Sequence, residues 1–138
     1  MRALVIMTLQ NDFCSFGNLA VESADLLAEK ANTLMAFFDK IIALNFAFPP
    51  NHQSFAANHL FRQPGKSMLI NGREQLLKPI HCVDESYGAA FPLTLRADKI
   101  DYLQKVGTRA SADVYSMFRD ADNTENNDAA AVLVEKQR

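Results

Sequence analysis

Met1-Arg-Ala-Leu-Val-Ile-Met-Thr-Leu-Gln-Asn-Asp-Phe-Cys14 opens the chain with an unbroken apolar run, Ala3 to Met7, that turns polar at Gln10, Asn11 and Asp12. An apolar run without alternation is the pattern of a strand covered on both faces. That pattern in turn predicts a parallel sheet flanked by helices. The run is too short to cross a membrane or to form a signal-peptide core. A loop over 10–21 follows. Ser23 is then placed to cap a helix over 24–38, in which Leu27, Ala31, Leu34 and Phe38 recur at helical spacing. Ile41-Ile-Ala-Leu44 reads as a second strand. Strand, helix and strand in that order predict a right-handed βαβ unit.

Pro49-Pro50 begins an irregular region that reaches about Tyr87 and includes Pro64, Gly65, Gly72 and Pro79. So long a loop is functional or poorly ordered. A third strand is expected over Ile100–Val106, with Gly107 as its stop. One or two helical turns follow over Asp113–Arg119, then a solvated Asn/Asp loop over 120–128 that lacks the spacing of an EF-hand. Ala130–Glu135 reads as a fourth strand. The sum is a single α/β domain over residues 1–138, with a three- to four-stranded, mainly parallel sheet flanked by helices.

The 138 residues suffice for a real core, and 49% hydrophobic with 22% charged residues is an ordinary globular balance. A formal net charge of -2, with no basic run, gives no electrostatic case for nucleic acid or an anionic membrane. The cytoplasm is the expected compartment. Cys14 and Cys82 lack metal-type spacing and read as small apolar residues beneath loops.

Four segments stand in an order that points to one family. They are Met1–Cys14; Ile42–His59, with Pro49, Asn51, His52, Ser54-Phe55-Ala56 and His59; Pro79–Gly88, with His81-Cys82-Val83; and Gly107–Asp120, with Asp113-Val-Tyr115-Ser116-Met-Phe118. Together they resemble the nicotinamidases and pyrazinamidases of the isochorismatase-like hydrolase superfamily. The resemblance implies that family's α/β fold, cut back at its C-terminal portion. It also implies amide hydrolysis by a cysteine nucleophile, with an aspartate base, a supporting lysine and a metal held by one aspartate and three histidines. A thiolate is the reactive form, so a base and a cation beside the cysteine are chemically required.

By the same resemblance, the base position is Thr8, whose hydroxyl is no base near neutral pH. The lysine position is Val106. Lys105 stands next to it, but one step along a strand points to the opposite face. Neither Cys14 nor Cys82 matches the nucleophile, which falls in the family's C-terminal portion. Two metal-ligand positions are Phe46 and Phe48, and two remain as His52 and His81, with His59 a conceivable third. Two histidines alone would hold a divalent zinc or iron ion only weakly. Phe13 remains from the substrate pocket, while the family's stacking tryptophan is Lys78. Against these roles stand simpler ones: structural histidines, Phe46 and Phe48 as core or plug, Thr8 bonded to backbone, and Asp12 and Asp113 as loop formers.

The expected function is therefore a nicotinamidase-like protein without amidase activity, a pseudoenzyme with a binding or structural role. The alternative is an amide hydrolase completed by a partner chain, or one using Cys82 with His81. Since the first strand is central in family members, a cut-back sheet would expose an apolar edge, which proteins rarely leave open. Either Ala130–Glu135 covers it, or a second copy or another protein does.

Overall fold

The computed structural model describes residues 1–122. The βαβ unit is there: strand β1 (Ala3–Met7), helix α1 (Leu26–Met35) and strand β2 (Lys40–Phe46). β1 and β2 run parallel, with Ala3 opposite Lys40 and Met7 opposite Leu44. The region expected to be irregular holds a two-stranded antiparallel hairpin, β3 (Ser67–Ile70) and β4 (Arg73–Leu76). Its turn is Asn71-Gly72, both with positive φ (51° and 77°), as a tight two-residue hairpin turn demands. Strand β5 (Tyr102–Val106) then joins β2 in parallel, giving the order β1-β2-β5. The sheet is thus three-stranded and all-parallel among the described residues.

Alternation along the strands divides the core in two. On the α1 side, Ile6 and Ile41 pack with Ala28, Ala31, Met35, Leu9 and Leu95. On the other side, Ile42, Leu44 and Val106 pack against loop residues Phe48, Phe55, Cys82, Val114 and Met117. Loops, not a helix, cover this second face in the described residues, and the cover stops short of β1. Val5 (39% exposed) and Met7 (57%) therefore stand open, so β1 is not covered on both faces as its apolar run predicts.

Other expectations shift. The helix starts at Leu26, not near Ala24. Ser23 has φ 63° and lies two residues before the N-cap position, Asp25, meeting the helix through its carbonyl, which accepts the Leu26 N–H at 3.1 Å. The Asp25 carboxylate bonds the Ser15 hydroxyl (2.5 Å) instead of the helix end. The buried face is Ala28, Ala31 and Met35, one residue round from the expected Leu27 and Leu34, which are about half exposed. Asp113–Arg119 forms bends and extended chain, not helical turns. The fourth strand expected over 130–135, and most of the 120–128 loop, lie outside the described residues. Among the described residues no helix is long and apolar enough to cross a membrane.

Candidate active site

The parallel strands deliver their carboxyl ends to one edge of the molecule, where α/β sheets gather ligand-binding groups. Thr8 follows β1 there with φ 51°, and its N–H donates to the Leu44 carbonyl at 2.8 Å. Val106 ends β5 and is buried (1% exposed) in the loop-covered core, beside Phe48. Lys105 faces the opposite side, as the one-residue step requires, and its Nζ pairs with Asp84 at 2.6 Å. Neither the base position nor the lysine position therefore sets an acid, a base or a lysine against the loop-covered face.

Phe46 and Phe48 lie on one side of the extended chain leaving β2, as their alternation predicts. Their rings stack at 5.0 Å between centroids. Phe48 then meets His52 at 4.7 Å, His81 at 5.1 Å and Phe55 at 5.8 Å. Phe13, half-buried, joins at 6.1 Å from Phe46 and 6.0 Å from His81. These rings form one contiguous aromatic plug, in which Phe48 and Phe55 each touch both histidines.

The histidines are committed within it. The Ser54 backbone N–H donates to His52 Nδ1 at 3.2 Å, so that nitrogen carries the lone pair. Nε2 therefore bears the proton and donates to the Ala112 carbonyl at 3.0 Å. His81 donates from Nδ1 to the Pro79 carbonyl at 2.8 Å, which leaves one lone pair, on Nε2. Burial pushes both imidazoles below the ordinary value of 6.5 and keeps them neutral. His59 is engaged elsewhere, with the Gln53 carbonyl at 2.7 Å. Among the described residues no group of three or more His, Cys, Asp or Glu could hold a metal ion. The donor set does not fit the family's metal: two positions are phenyl rings, and His52 has no free lone pair.

Neither cysteine is activated. Cys82 is fully buried, and burial together with the nearby Asp12 charge pushes its thiol up to about 12. A neutral His81 lends no cation to oppose this, against the pairing weighed from sequence. Cys14 is raised too, by burial and Asp25.

Asp12 and Asp113, expected as loop formers, are instead buried hubs. Asp12 Oδ2 accepts the Cys82 N–H at 2.7 Å, and Oδ1 the Asn18 N–H at 3.2 Å. A Cβ on Gly88 would sit 2.0 Å from that carboxylate, so only glycine fits there. Asp113 (1% exposed) accepts from Lys78 Nζ at 2.8 Å, Gln75 Nε2 at 2.9 Å and the Val114 N–H at 2.8 Å. Lys78 also lies 5.4 Å from the Tyr115 ring centroid. Lys78 thus forms a largely buried ion pair with Asp113. A lysine and an aspartate so far apart in sequence carry no local signal of this pairing.

No protein-family model matches the chain. It is 34% identical over 134 residues to the nicotinamidase of Acinetobacter baylyi, covering 97% of this chain and 63% of that one. To the Escherichia coli nicotinamidase it is 36% identical over 123 residues, covering 86% of this chain and 57% of that one. The solved nicotinamidase/pyrazinamidase of Acinetobacter baumannii superposes with a TM-score of 0.89 at 34% identity, over 97% of this chain and 65% of that one. The chain therefore spans less than two thirds of these relatives' length. Over the portion that it spans, in sequence and in fold, it is a homologue of the nicotinamidases and pyrazinamidases, with their isochorismatase-like fold.

Proposed function

We propose that this chain is a nicotinamidase-like protein that does not hydrolyse nicotinamide, and that its role is to bind or to assemble. The observation that carries the proposal is the aromatic plug. Phe48 touches both His52 and His81 and stacks on Phe46, and His52 has both ring nitrogens bonded. Placing an ion there would mean expelling two phenyl rings and breaking the Ser54 bonds. Thr8 and Val106 at the base and lysine positions support the same conclusion. Members of one catalytic unit act together, so losing several removes the reaction rather than slowing it slightly. The reading includes a cytoplasmic location, where the two free, buried cysteines stay reduced.

The decisive experiment is ammonia release from nicotinamide, with and without added zinc, iron or manganese, beside the Acinetobacter baylyi nicotinamidase as a positive control. No release above the uncatalysed rate is expected under any metal. Turnover within a hundredfold of the control would overturn the proposal.

Among the described residues β1 has no partner on its outer edge, which favours assembly. It presents Ala3 to Met7 with no charge, proline or bulge, the devices that keep edges apart. The proposed occupant is a second copy, its β1 antiparallel so that Val5 meets Val5. Light scattering should then give a dimer, and Val5→Lys a monomer. A monomer whose β1 amides exchange slowly would instead mean that this chain covers its own edge.

A further inference from the structure

Helix α1 carries an apolar flank that nothing covers among the described residues. Its buried residues, Ala28, Ala31 and Met35, cluster with Ile6 of β1 and Ile41 of β2, so the helix runs above the gap between those strands. One flank is tied to the chain that leads into β5. There Asn32 Nδ2 donates to the Thr94 carbonyl and Asn32 Oδ1 accepts the Arg96 N–H, both at 2.8 Å. At 3.6 residues per turn, Leu27 and Leu34 lie roughly 140–160° round the helix from Asn32. They therefore overhang the outer edge of β1, and they are 51% and 46% exposed.

The backbone fixes how that edge can pair. The Thr8 N–H donates to the Leu44 carbonyl, and the Arg2 carbonyl accepts the Lys40 N–H. Even-numbered residues thus point their backbone groups at β2, and Ala3, Val5 and Met7 point theirs outward. A second β1, antiparallel with Val5 opposite Val5, sets Ala3 against Met7 and pairs every outward N–H and C=O of those residues. The two-fold axis of that pair is perpendicular to the sheet. Both copies of α1 then stand on the same face of one six-stranded sheet.

The spacing of the two helices fits close packing. α1 lies about half a strand spacing inside β1, and the axis half a spacing outside it. The helices therefore run antiparallel about two spacings apart, roughly 9–10 Å, the separation of packed helices. Ten helical residues and five strand residues are both roughly 15 Å long, so the midpoint of α1, between Lys30 and Ala31, stands over Val5. Leu27 then meets the partner's Leu34, and Leu34 the partner's Leu27. Lys30 crosses the partner's Ala31, a small residue over which its stem can lie with the ammonium in water. Covering Leu27, Leu34, Val5 and Met7 in both copies, with the two edges, removes on the order of 1,000 Å² from water, enough for a specific interface.

We propose that a second copy docks on this flank of α1 as well as on the edge of β1, with Leu27 and Leu34 as the helix seam. The proposal rests on the reading that β1 pairs with a second copy, and the test separates the two. Full-length chains carrying Leu27→Cys and Leu34→Cys are mixed and oxidised by oxygen with a copper catalyst. A disulfide-linked dimer is expected in the mixture and little in either variant alone, while the buried Cys14 and Cys82 stay free. In sedimentation equilibrium Leu34→Asp should weaken the dimer at least about tenfold, and Thr33→Asp on the solvent side should not. Leu34 is half exposed, so its replacement leaves the fold intact, which circular dichroism checks. A dimer lost in Val5→Lys but unchanged in Leu34→Asp would overturn the helix seam and leave the strand pairing standing. Leu27→Cys linking to itself would also overturn the seam. A monomeric native chain would overturn the seam and the strand pairing together.

Discussion

Replacing Phe48 by alanine is expected to destabilise the protein by about 3–5 kcal/mol, the range for emptying a buried aromatic site. The ring is 1% exposed and touches four other rings, those of Phe46, His52, Phe55 and His81. Each aromatic pair adds about 0.5–1.5 kcal/mol beyond burial. The surroundings cannot collapse easily into the void. His52 is tied at both ring nitrogens, and the backbone of Gly107, with φ 80°, presses so close that a Cβ there would lie 2.5 Å from Phe48 Cε1. Urea unfolding of Phe48→Ala, with the half-buried Phe13→Ala as a comparison, measures this. A loss below about 1 kcal/mol would show that Phe48 is not core and that the plug is a displaceable filling.

The same plug shows how far the sequence speaks. The apolar run Ala3–Met7 and the alternation of Phe46 with Phe48 were legible, because a strand's period of two is a local signal. So was the loss of Lys105 from the loop-covered face, which follows from a single step on β5. The exposure of Val5 and Met7 was not legible, since the apolar run does not reveal which neighbours cover it. Ala31 was legible on the helix, but Leu27 and Leu34 stood for the buried face in place of Ala28 and Met35, because Leu27 outweighs Ala28 on any hydrophobic count. The β3–β4 hairpin had a signal in Asn71-Gly72, the strongest short-range hairpin mark, which the surrounding prolines and glycines obscured. The Asp12 and Asp113 hubs had none. Their partners stand up to 70 residues away, and charge alone does not disclose burial.

That buried aspartate yields the second large effect. Lys78→Met should cost about 3–5 kcal/mol near neutral pH, because it strands the Asp113 carboxylate where only Gln75 and the Val114 N–H remain to bond it. Burial by itself pushes the Asp113 carboxyl up. In the native protein its bonds to Lys78 and Gln75 outweigh that and hold it below the ordinary 3.8. The native contribution is therefore present above pH 3.8 and lost as the pH falls through the folded-state value. Without Lys78 the balance reverses. Burial dominates, the folded-state value rises above 3.8, and the variant's penalty shrinks as acid protonates the stranded group. The difference in unfolding free energy between native and variant should thus be greatest near pH 7 and smaller near pH 4. Burial first, and the Lys78 charge in addition, depress His52 and His81, so removing Lys78 relieves them in part and shrinks the variant's penalty further below pH 6.5. The double change Lys78→Met with Asp113→Leu removes both charges together and should recover most of the loss, as apolar replacements of buried ion pairs often do. A Lys78→Met penalty that stays constant with pH, or a double variant worse than the single, would mean that Asp113 is not stabilised by the lysine charge.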